Sequence, residues 1–215
     1  MLREPEFADA DIGALSWGSG ILMSELLCQN YISLRKSPIL EIGCGTGAAG
    51  LTSAKLWPSN KVHMTDYHEK VLENLVLSRD LNLLSEKTVL ISQFDWRWVS
   101  PSPPSITLLP PFKPLQTSQK FPIILAADCI FDLSHSHLVP KVFDTFLEPE
   151  GLVFCIVPHR TGFEAEISTF LSNLENGGVF EVCQESMVRE GHQWPYSVLK
   201  ITRISGVVEI DRDLQ

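Results

Sequence analysis

The chain has 215 residues, a hydrophobic content of 44% and a formal net charge of −9 at pH 7. This length and composition suit one large domain with a sizeable core, whereas the acidic balance argues against nucleic acid as the main partner, because phosphate binding needs clustered Lys and Arg. No apolar stretch approaches the roughly 18 residues that cross a membrane, and residues 1–13 contain no secretory signal.

Apolar runs and helical patterns alternate from Ile39 onward. Strands are predicted at 39–42, 61–66, 88–92, 121–128 and 151–158, and helices at 48–57, 68–84, 137–147 and 163–174. Pro140 must then lie in the first turn of its helix or kink it. The last two strands, 179–186 and 196–203, have no helix between them and are predicted to form an antiparallel hairpin.

Strands that alternate with helices pair in parallel, with helices on both faces of the sheet. The expected fold is therefore a Rossmann-like α/β domain with a seven-stranded, mostly parallel sheet and an antiparallel hairpin at one edge. Six prolines within residues 100–120 predict a long loop between the third and fourth strands. A lid or a partner-binding segment is the alternative to an insertion without function. Residues 204–215 are expected to form an exposed tail.

The stretch PILEIGCGTGAAG places four glycines directly behind the first strand. Ligands of open α/β sheets bind beyond the carboxyl ends of the strands, and glycine lets a ligand approach the backbone closely. Gly45, Gly47 and Gly50 match the dinucleotide pattern GxGxxG. Gly43, Gly45 and Gly47 also match ExGxGxG, in which Glu41 is the leading acid. The glycines alone leave both ligand classes open.

Two carboxylates separate these ligand classes. An acid at Glu41 repels a diphosphate, but it favours the sulfonium and α-ammonium groups of S-adenosylmethionine. Asp66 closes the second strand, where an acid can accept hydrogen bonds from the two ribose hydroxyls, as in NAD proteins. Asp66 therefore indicates adenosine, and Glu41 favours S-adenosylmethionine and methyl transfer over a dinucleotide. A structural role for Glu41, in which it holds N–H groups of the loop, is the alternative.

Five segments occur in an order and at distances typical of one enzyme family: LSWGSGILMSELL (15–27), LEIGCGTG (40–47), MTDY (64–67), FDWRW (94–98) and LAADCIF (125–131). With them the chain resembles the seven-strand, S-adenosylmethionine-dependent methyltransferases, specifically the protein-lysine methyltransferase group called family 16, over residues 12–203. The resemblance implies one methyltransferase domain across residues 1–215. FDLSHSH (131–137) and VPHR (157–160) are similar to a branch with yeast enzymes that methylate a translation elongation factor at its N-terminus and a nearby lysine.

The chemistry and the resemblance together predict a set of cofactor-binding residues: Trp17, Glu41, Gly43, Cys44, Gly45, Asp66, Tyr67, Trp96 and Ala127. By the resemblance, Trp17 lies in the helix before the first strand and covers the methionine end of the cofactor. Tyr67 touches the adenine, Ala127 lies beside the cofactor with its backbone, and Trp96 packs on the adenine ring. Trp98, two residues later, is the alternative to Trp96.

Asp128 and Phe131 are the predicted catalytic residues. Asp128 is expected at the end of the fourth strand, where a carboxylate can hold and orient an incoming ammonium group. Phe131 is expected to form an aromatic wall around the alkyl stem of a lysine. Positioning supplies most of the rate gain, because a sulfonium is already a good leaving group. The alternative for Asp128 is a cap of the following turn.

Three functions remain open: a methyltransferase acting on a protein lysine or N-terminal amine, a small-molecule N-methyltransferase of the nicotinamide type, and a non-enzymatic interaction protein on the same fold. A protein substrate would be basic or a translation factor, and a monomer is expected. Five dispersed cysteines without a CxxC pair predict no metal site and a reducing compartment, the cytoplasm or the nucleus. His135, His137 and His159 are expected to be solvated or capping residues; the alternative is that they line the same rim as Asp128.

Overall fold

The computed structural model describes residues 1–6, 11–32, 38–105 and 107–204. Its α-helices are α1 (Gly18–Cys28), α2 (Ala48–Leu56), α3 (Glu69–Leu81), α4 (Leu133–Phe146) and α5 (Glu164–Asn176). Its strands are β1 (Ile39–Ile42), β2 (Val62–Asp66), β3 (Val89–Gln93), β4 (Lys113–Pro114), β5 (Phe121–Ala127), β6 (Leu147–Pro158), β7 (Phe180–Met187) and β8 (Tyr196–Arg203). Single 3-10 turns cover Asp11–Ala14 and Trp96–Val99.

All eight strands belong to one sheet with the order β4-β3-β2-β1-β5-β6-β8-β7. Strands β1 to β6 pair in parallel, and β8 runs antiparallel to both β6 and β7. The chain moves from β1 to one side for β2 to β4 and then to the other side for β5. This reversal leaves a crevice beyond the carboxyl ends of β1, β2 and β5, which is the usual ligand position in open α/β sheets.

The two faces of the sheet are covered by different helices. Residues of α1, α2 and α3 pack on one face, and residues of α4 and α5 pack on the other. Successive side chains of a strand point to opposite faces, so Ile39 belongs to the first core, whereas Leu40 and Ile42 belong to the second. The mostly parallel α/β sheet with helices on both faces and an antiparallel edge hairpin is thereby confirmed.

The expected count of seven strands is wrong, because the proline-rich segment contributes the short strand β4. It pairs with Ser92 and Gln93 of β3 at the edge of the sheet, where only one side of a strand needs partners and proline is tolerated. The side chain of Gln93 donates to the carbonyl of Thr107 at 2.8 Å and accepts from the N–H of Leu109 at 3.1 Å. The part of the segment that follows Ile106 is therefore fastened to the sheet; Ile106 itself lies outside the described residues.

Helix α4 begins four residues before its predicted start. The carboxylate of Asp132 caps it by accepting from the N–H of Ser134 at 2.8 Å. Pro140 consequently lies in the helix interior and cannot donate to the carbonyl of Ser136. The side-chain amide of Asn173 in α5 donates to that carbonyl instead, at 2.9 Å. A tertiary contact thus replaces the missing helical hydrogen bond.

Of the predicted tail at 204–215, only Ile204 is described, and residues 205–215 lie outside the described part of the chain. Among the described helices, none combines the length and the apolar character that a membrane crossing requires.

Candidate active site

A cleft of about 350 Å³ lies at the reversal of the strand order. Its volume falls in the range of small-molecule sites. It is lined by Gly13, Trp17, Gly43, Gly45, Asp66, Tyr67, His68, Val71, Phe94, Asp95, Trp96, Arg97, Ala127, Asp128, Cys129, Phe131, Ser134, His135 and Leu138. The cleft therefore brings together Asp66, Trp96, Asp128 and Phe131, which are separated widely in sequence.

The glycine loop behind β1 forms one wall of the cleft. Gly43 and Gly45 have φ values of +55° and +50°, in the left-handed region that glycine adopts without strain. A Cβ atom on Gly43 would come within 2.6 Å of the indole of Trp96. The missing side chain therefore lets the Trp96 ring lie directly against the loop. We call Gly43, Gly45, Asp66, Tyr67 and Trp96 the loop side of the cleft.

Asp66 ends β2 with its carboxylate buried in this wall. The two carboxylate oxygens accept hydrogen bonds from the N–H of Gly45 at 3.2 Å and of His68 at 3.1 Å. Burial raises the pKa of Asp66 above its ordinary value, while the hydrogen bonds from His68 and Gly45 oppose the rise. The residue both fastens the glycine loop and lines the cleft, as its predicted role requires.

The two tryptophans of FDWRW lie in different places. Trp96 lines the cleft, whereas Trp98 packs into the α4–α5 core with its ring 5.9 Å from that of Phe94. Tyr67 also lines the cleft and is 54% exposed. Asp95 caps the 3-10 turn by accepting from the N–H of Arg97 at 2.9 Å. The loop side therefore offers the aromatic rings of Trp96 and Tyr67 to a planar ligand.

Glu41 lies beneath the glycine loop and is not among the described residues that line the cleft. The alternation of β1 turns it towards α2, where its Oε2 accepts from the N–H of Gly50 at 3.0 Å. Burial raises the pKa of Glu41 to about 8. The expectation that Glu41 faces the cationic groups of a ligand is corrected here, because its carboxyl group supports the start of α2.

Cys44, like Glu41, is buried. Its side chain is buried with the core residues of α1 to α3, and its N–H donates to the carbonyl of Thr65 at 3.0 Å. Burial raises the pKa of the thiol well above its ordinary value. Like Glu41, Cys44 lies outside the cleft lining formed by the described residues. Its contribution to the loop is its backbone.

Asp128 directly follows β5 and has a φ of +62°, which is uncommon for a residue with a side chain. Its carboxylate accepts from both terminal nitrogens of Arg160, at 2.6 Å to Oδ1 and 2.8 Å to Oδ2. The hydroxyl of Ser19, in the first turn of α1, donates to Oδ2 at 3.0 Å. Strained backbone that is held by its surroundings is typical of functional sites. In this structure the predicted catalytic carboxylate belongs to a buried ion pair.

Aromatic rings surround this ion pair. The guanidinium of Arg160 lies 4.9 Å from the ring centre of Trp17 and 5.8 Å from that of Trp194. Trp17 is the N-cap residue of α1 and not a residue within that helix, and 39% of its surface is exposed. We call Trp17, Asp128, Arg160 and Trp194 the ion-pair side of the cleft: Trp17 and Asp128 line it, Arg160 contacts both, and Trp194 contacts Arg160.

Phe131 and His135 connect the two sides. The ring of His135 lies 4.3 Å from that of Phe131 and 5.0 Å from that of Trp96, and all three residues line the cleft. Burial lowers the pKa of His135, which disfavours the charged form of its ring. His137 instead contacts Asn173, and His159 contacts Ser197. For His135, which follows the N-cap residue Asp132 by three positions, the structure favours the alternative of a rim residue over a solvated or capping one.

Arg160 and Trp194 were not among the predicted site residues. The segment VPHR was noted for its likeness to one enzyme branch, and β6 lies next to β5 in the parallel sheet. The rule that strand ends carry ligand-binding residues therefore points to Arg160 as well. Trp194 lies in the connection between β7 and β8, where no local pattern indicates that it contacts Arg160.

The family model described as lysine methyltransferase matches residues 2–177 of the chain. The chain belongs to this family. It is 27% identical over 180 residues to the protein-lysine N-methyltransferase rrg1 of Schizosaccharomyces pombe, a match that covers 83% of this chain and 57% of that protein. It is 25% identical over 184 residues to the protein-lysine N-methyltransferase EFM2 of Saccharomyces cerevisiae, with 77% and 41% covered. The chain thus spans about half the length of these curated relatives.

The fold is also that of a solved methyltransferase. The crystal structure of a methyltransferase from Pyrococcus furiosus superposes with a TM-score of 0.60 at 20% sequence identity, covering 92% of this chain and 93% of that one. At this identity the likeness concerns the fold. It agrees with the family membership. The roles of individual residues follow from the geometry of the cleft.

Proposed function

We propose that the protein is an S-adenosylmethionine-dependent methyltransferase that acts on an amine of a protein, most simply a lysine side chain. Membership of the lysine methyltransferase family supports the reaction class. The observation that carries the proposal is the cleft at the strand-order reversal, which Asp66 and Trp96 line on one side and Asp128 on the other. One cleft thus offers an adenosine site beside a carboxylate that suits a cationic acceptor.

The loop side fits S-adenosylmethionine. An acid at the end of β2 suits the ribose hydroxyls, and the exposed face of Trp96 suits the adenine ring. Because Gly43 has no Cβ, the ring of Trp96 lies directly against the glycine loop on this side of the cleft. Trp17 and Ala127, which also line the cleft, would contact the rest of the molecule. When bound, S-adenosylmethionine supplies a methyl group that its sulfonium activates for transfer.

The chain's own residues position the acceptor. A lysine nitrogen attacks only as the neutral amine, so the site must hold the arriving ammonium, orient it and let its proton leave to water. The carboxylate of Asp128 is the acid suited to hold and orient this group, and Phe131 forms a wall for the alkyl stem. Removal of water from such a cleft strengthens these contacts. Positioning of this kind lowers the barrier without a covalent intermediate.

The proposed acceptor protein is an elongation factor or another basic protein. Support comes from the likeness of FDLSHSH and VPHR to the elongation-factor branch and from the net charge of −9, which suits a basic partner. The proposal also includes that the enzyme is a monomer, that it consists of one domain and that it acts on a cytoplasmic protein. Its alternatives are a small-molecule N-methyltransferase and a protein that keeps the fold without catalysis.

Two measurements test the proposal. Calorimetric titrations should detect binding of S-adenosylhomocysteine and S-adenosylmethionine but not of NAD; binding of NAD with neither adenosyl compound would contradict it. A lysate from cells that lack the protein is then incubated with the protein and labelled S-adenosylmethionine. Mass spectrometry should find the label on a lysine or an N-terminal amine of one protein band. Label confined to small molecules favours the first alternative, and cofactor binding without any transfer favours the second.

A further inference from the structure

The carboxylate of Asp128 already holds a cation in this structure. The guanidinium of Arg160 makes a bidentate contact with it, and only 16% of the Arg160 side chain and 6% of the Asp128 side chain are exposed. A parallel pair of charge-assisted hydrogen bonds is the strongest arrangement between an arginine and a carboxylate. An acceptor that approaches Asp128 therefore meets a carboxylate whose two oxygens are both engaged.

The surroundings of this guanidinium are those that recognise an alkylammonium group. Trp17 and Trp194 place indole rings 4.9 Å and 5.8 Å from it, and Asp128 supplies the opposite charge. A carboxylate combined with aromatic faces is a common site for ammonium ligands. Trp17 and Asp128 also line the cleft, so this cation site opens into the place where a methyl group would be transferred.

Asp128 keeps stabilising partners if Arg160 moves away. The hydroxyl of buried Ser19 donates to it at 3.0 Å, and Ser19 lies in the first turn of α1, where the helix dipole favours a negative charge. Arg160 itself belongs to the short connection between β6 and α5, which contains Gly162 with φ +91°, where an added Cβ would meet no atom of the described residues within 4 Å. An exchange of one cation for another leaves the buried carboxylate paired throughout, which avoids the large cost of an unpaired buried charge.

We propose that Arg160 is the specificity residue of the acceptor site: its guanidinium occupies the acceptor-ammonium subsite in the free protein and yields it to the substrate. The inference rests on the proposed function and names the substrate class of the same site. A neutral acceptor, such as a pyridine ring nitrogen, brings no charge with which to displace Arg160. A small amine competes only with its ammonium group. A lysine on a protein surface adds contacts elsewhere, so the exchange selects protein amines.

The test uses the full chain and two adenosyl analogues in which a nitrogen replaces the sulfonium sulfur. One analogue carries an aminoethyl arm in place of the methyl group, and the other carries a propyl arm of the same shape without charge. Calorimetry measures both dissociation constants, together with that of S-adenosylhomocysteine, for the wild type, Arg160→Met and Arg160→Lys. Arg203→Met is the matched control, because Arg203 is similarly buried at 13% exposure and pairs with Asp144 at 2.7 Å.

In Arg160→Met the aminoethyl arm should bind at least about tenfold more tightly than the propyl arm, as expected for a cation that gains a buried carboxylate. In the wild type and in Arg203→Met the two arms should differ by less than about threefold, since Arg160 still holds the carboxylate. Arg160→Lys, which replaces the planar fork with a point charge, should lie between these limits. It also provides the measurement if Arg160→Met does not fold.

Equal preference for the aminoethyl arm in the wild type and the folded Arg160 variants would overturn the inference. Weaker binding of the charged arm in the variants would overturn it too, since Arg160 would then only support Asp128. Failure of the wild type to bind S-adenosylhomocysteine would instead contradict the proposed function. The two failures are therefore distinguishable in one set of titrations.

Discussion

The loop side and the ion-pair side of the cleft draw their residues from the chain in different ways. Gly43, Gly45, Asp66 and Trp96 all belong to short segments at the ends of β1, β2 and β3, three adjacent parallel strands. The ion-pair side combines the start of α1, the end of β5, the β6–α5 connection and the β7–β8 connection. One side is thus a local feature of a parallel sheet, whereas the other depends on how distant loops meet.

This difference explains what the sequence could predict. The glycine pattern and the acid at the end of the second strand identify the loop side, because each motif is contiguous and its place at a strand end follows from the fold. Arg160 follows a strand end and so could have been considered, but its contact with Asp128 and that of Trp194 with Arg160 join distant connections and required coordinates. The ion pair between Asp128 and Arg160 also required them, because sequence alone does not say whether a carboxylate is free.

Three expectations differ from the structure, and two of them, for Glu41 and for strand β4, depend on packing that the sequence pattern does not show. Glu41 was expected in the cleft because it precedes the glycines, but the alternation of β1 turns its carboxyl group under α2 to meet Gly50. Strand β4 was hidden because the side-chain contacts of Gln93 with the proline-rich segment are tertiary. The early start of α4 was visible in principle, since Asp132 followed by Ser134 is a helix-capping signal.

The largest expected effect comes from a substitution that changes only the ion-pair side of the cleft. Asp128→Asn keeps the shape of the side chain and tolerates the left-handed backbone, but it removes the charge that holds the acceptor. Methyl transfer to the acceptor protein should fall by about 10² or more, as when a positioned polar group is lost. Single-turnover transfer of labelled methyl measures it. Asp144→Asn, half exposed and paired with Arg203, is the control and should remain active. Near-normal transfer by Asp128→Asn would reduce Asp128 to a capping residue.

A smaller effect is expected on the loop side from Gly43→Ala. Both Gly43 and Gly162 have positive φ values, so alanine at either position costs roughly 1–2 kcal/mol of stability. Only the Cβ on Gly43 meets a ring, at 2.6 Å from Trp96, whereas none of the described residues has an atom within 4 Å of the one on Gly162. Displacement of Trp96 should weaken S-adenosylhomocysteine binding by about tenfold, since one base–aromatic stack is worth about 1–3 kcal/mol. Equal affinities of the Gly43→Ala and Gly162→Ala variants in calorimetry would remove Trp96 from the cofactor site.

The smallest effect concerns stability and sharpens the corrected role of Glu41. Its pKa is raised from 4.5 to about 8, so between these values the folded protein binds more protons than the unfolded chain. The contribution of Glu41 to the free energy of unfolding is then fully present below pH 4.5 and is lost as the pH rises towards 8. Glu41→Gln should flatten this decline in thermal melts from pH 5 to pH 8. Glu73→Gln on the exposed face of α3 should leave it unchanged. Parallel curves for Glu41→Gln and the wild type would mean that Glu41 is ionised in the fold.

Titration of S-adenosylhomocysteine into Asp66→Ala and Asp128→Asn tests most directly the claim that one cleft holds a cofactor on its loop side and an acceptor on its ion-pair side. Loss of the Asp66 carboxylate should weaken binding by about 1.5–3 kcal/mol, the value of hydrogen bonds to a charged group. Asp128→Asn should bind within about threefold of the wild type, a difference of less than about 1 kcal/mol. Unchanged affinity in a folded Asp66→Ala, or lost affinity in a folded Asp128→Asn, would contradict this division of the cleft.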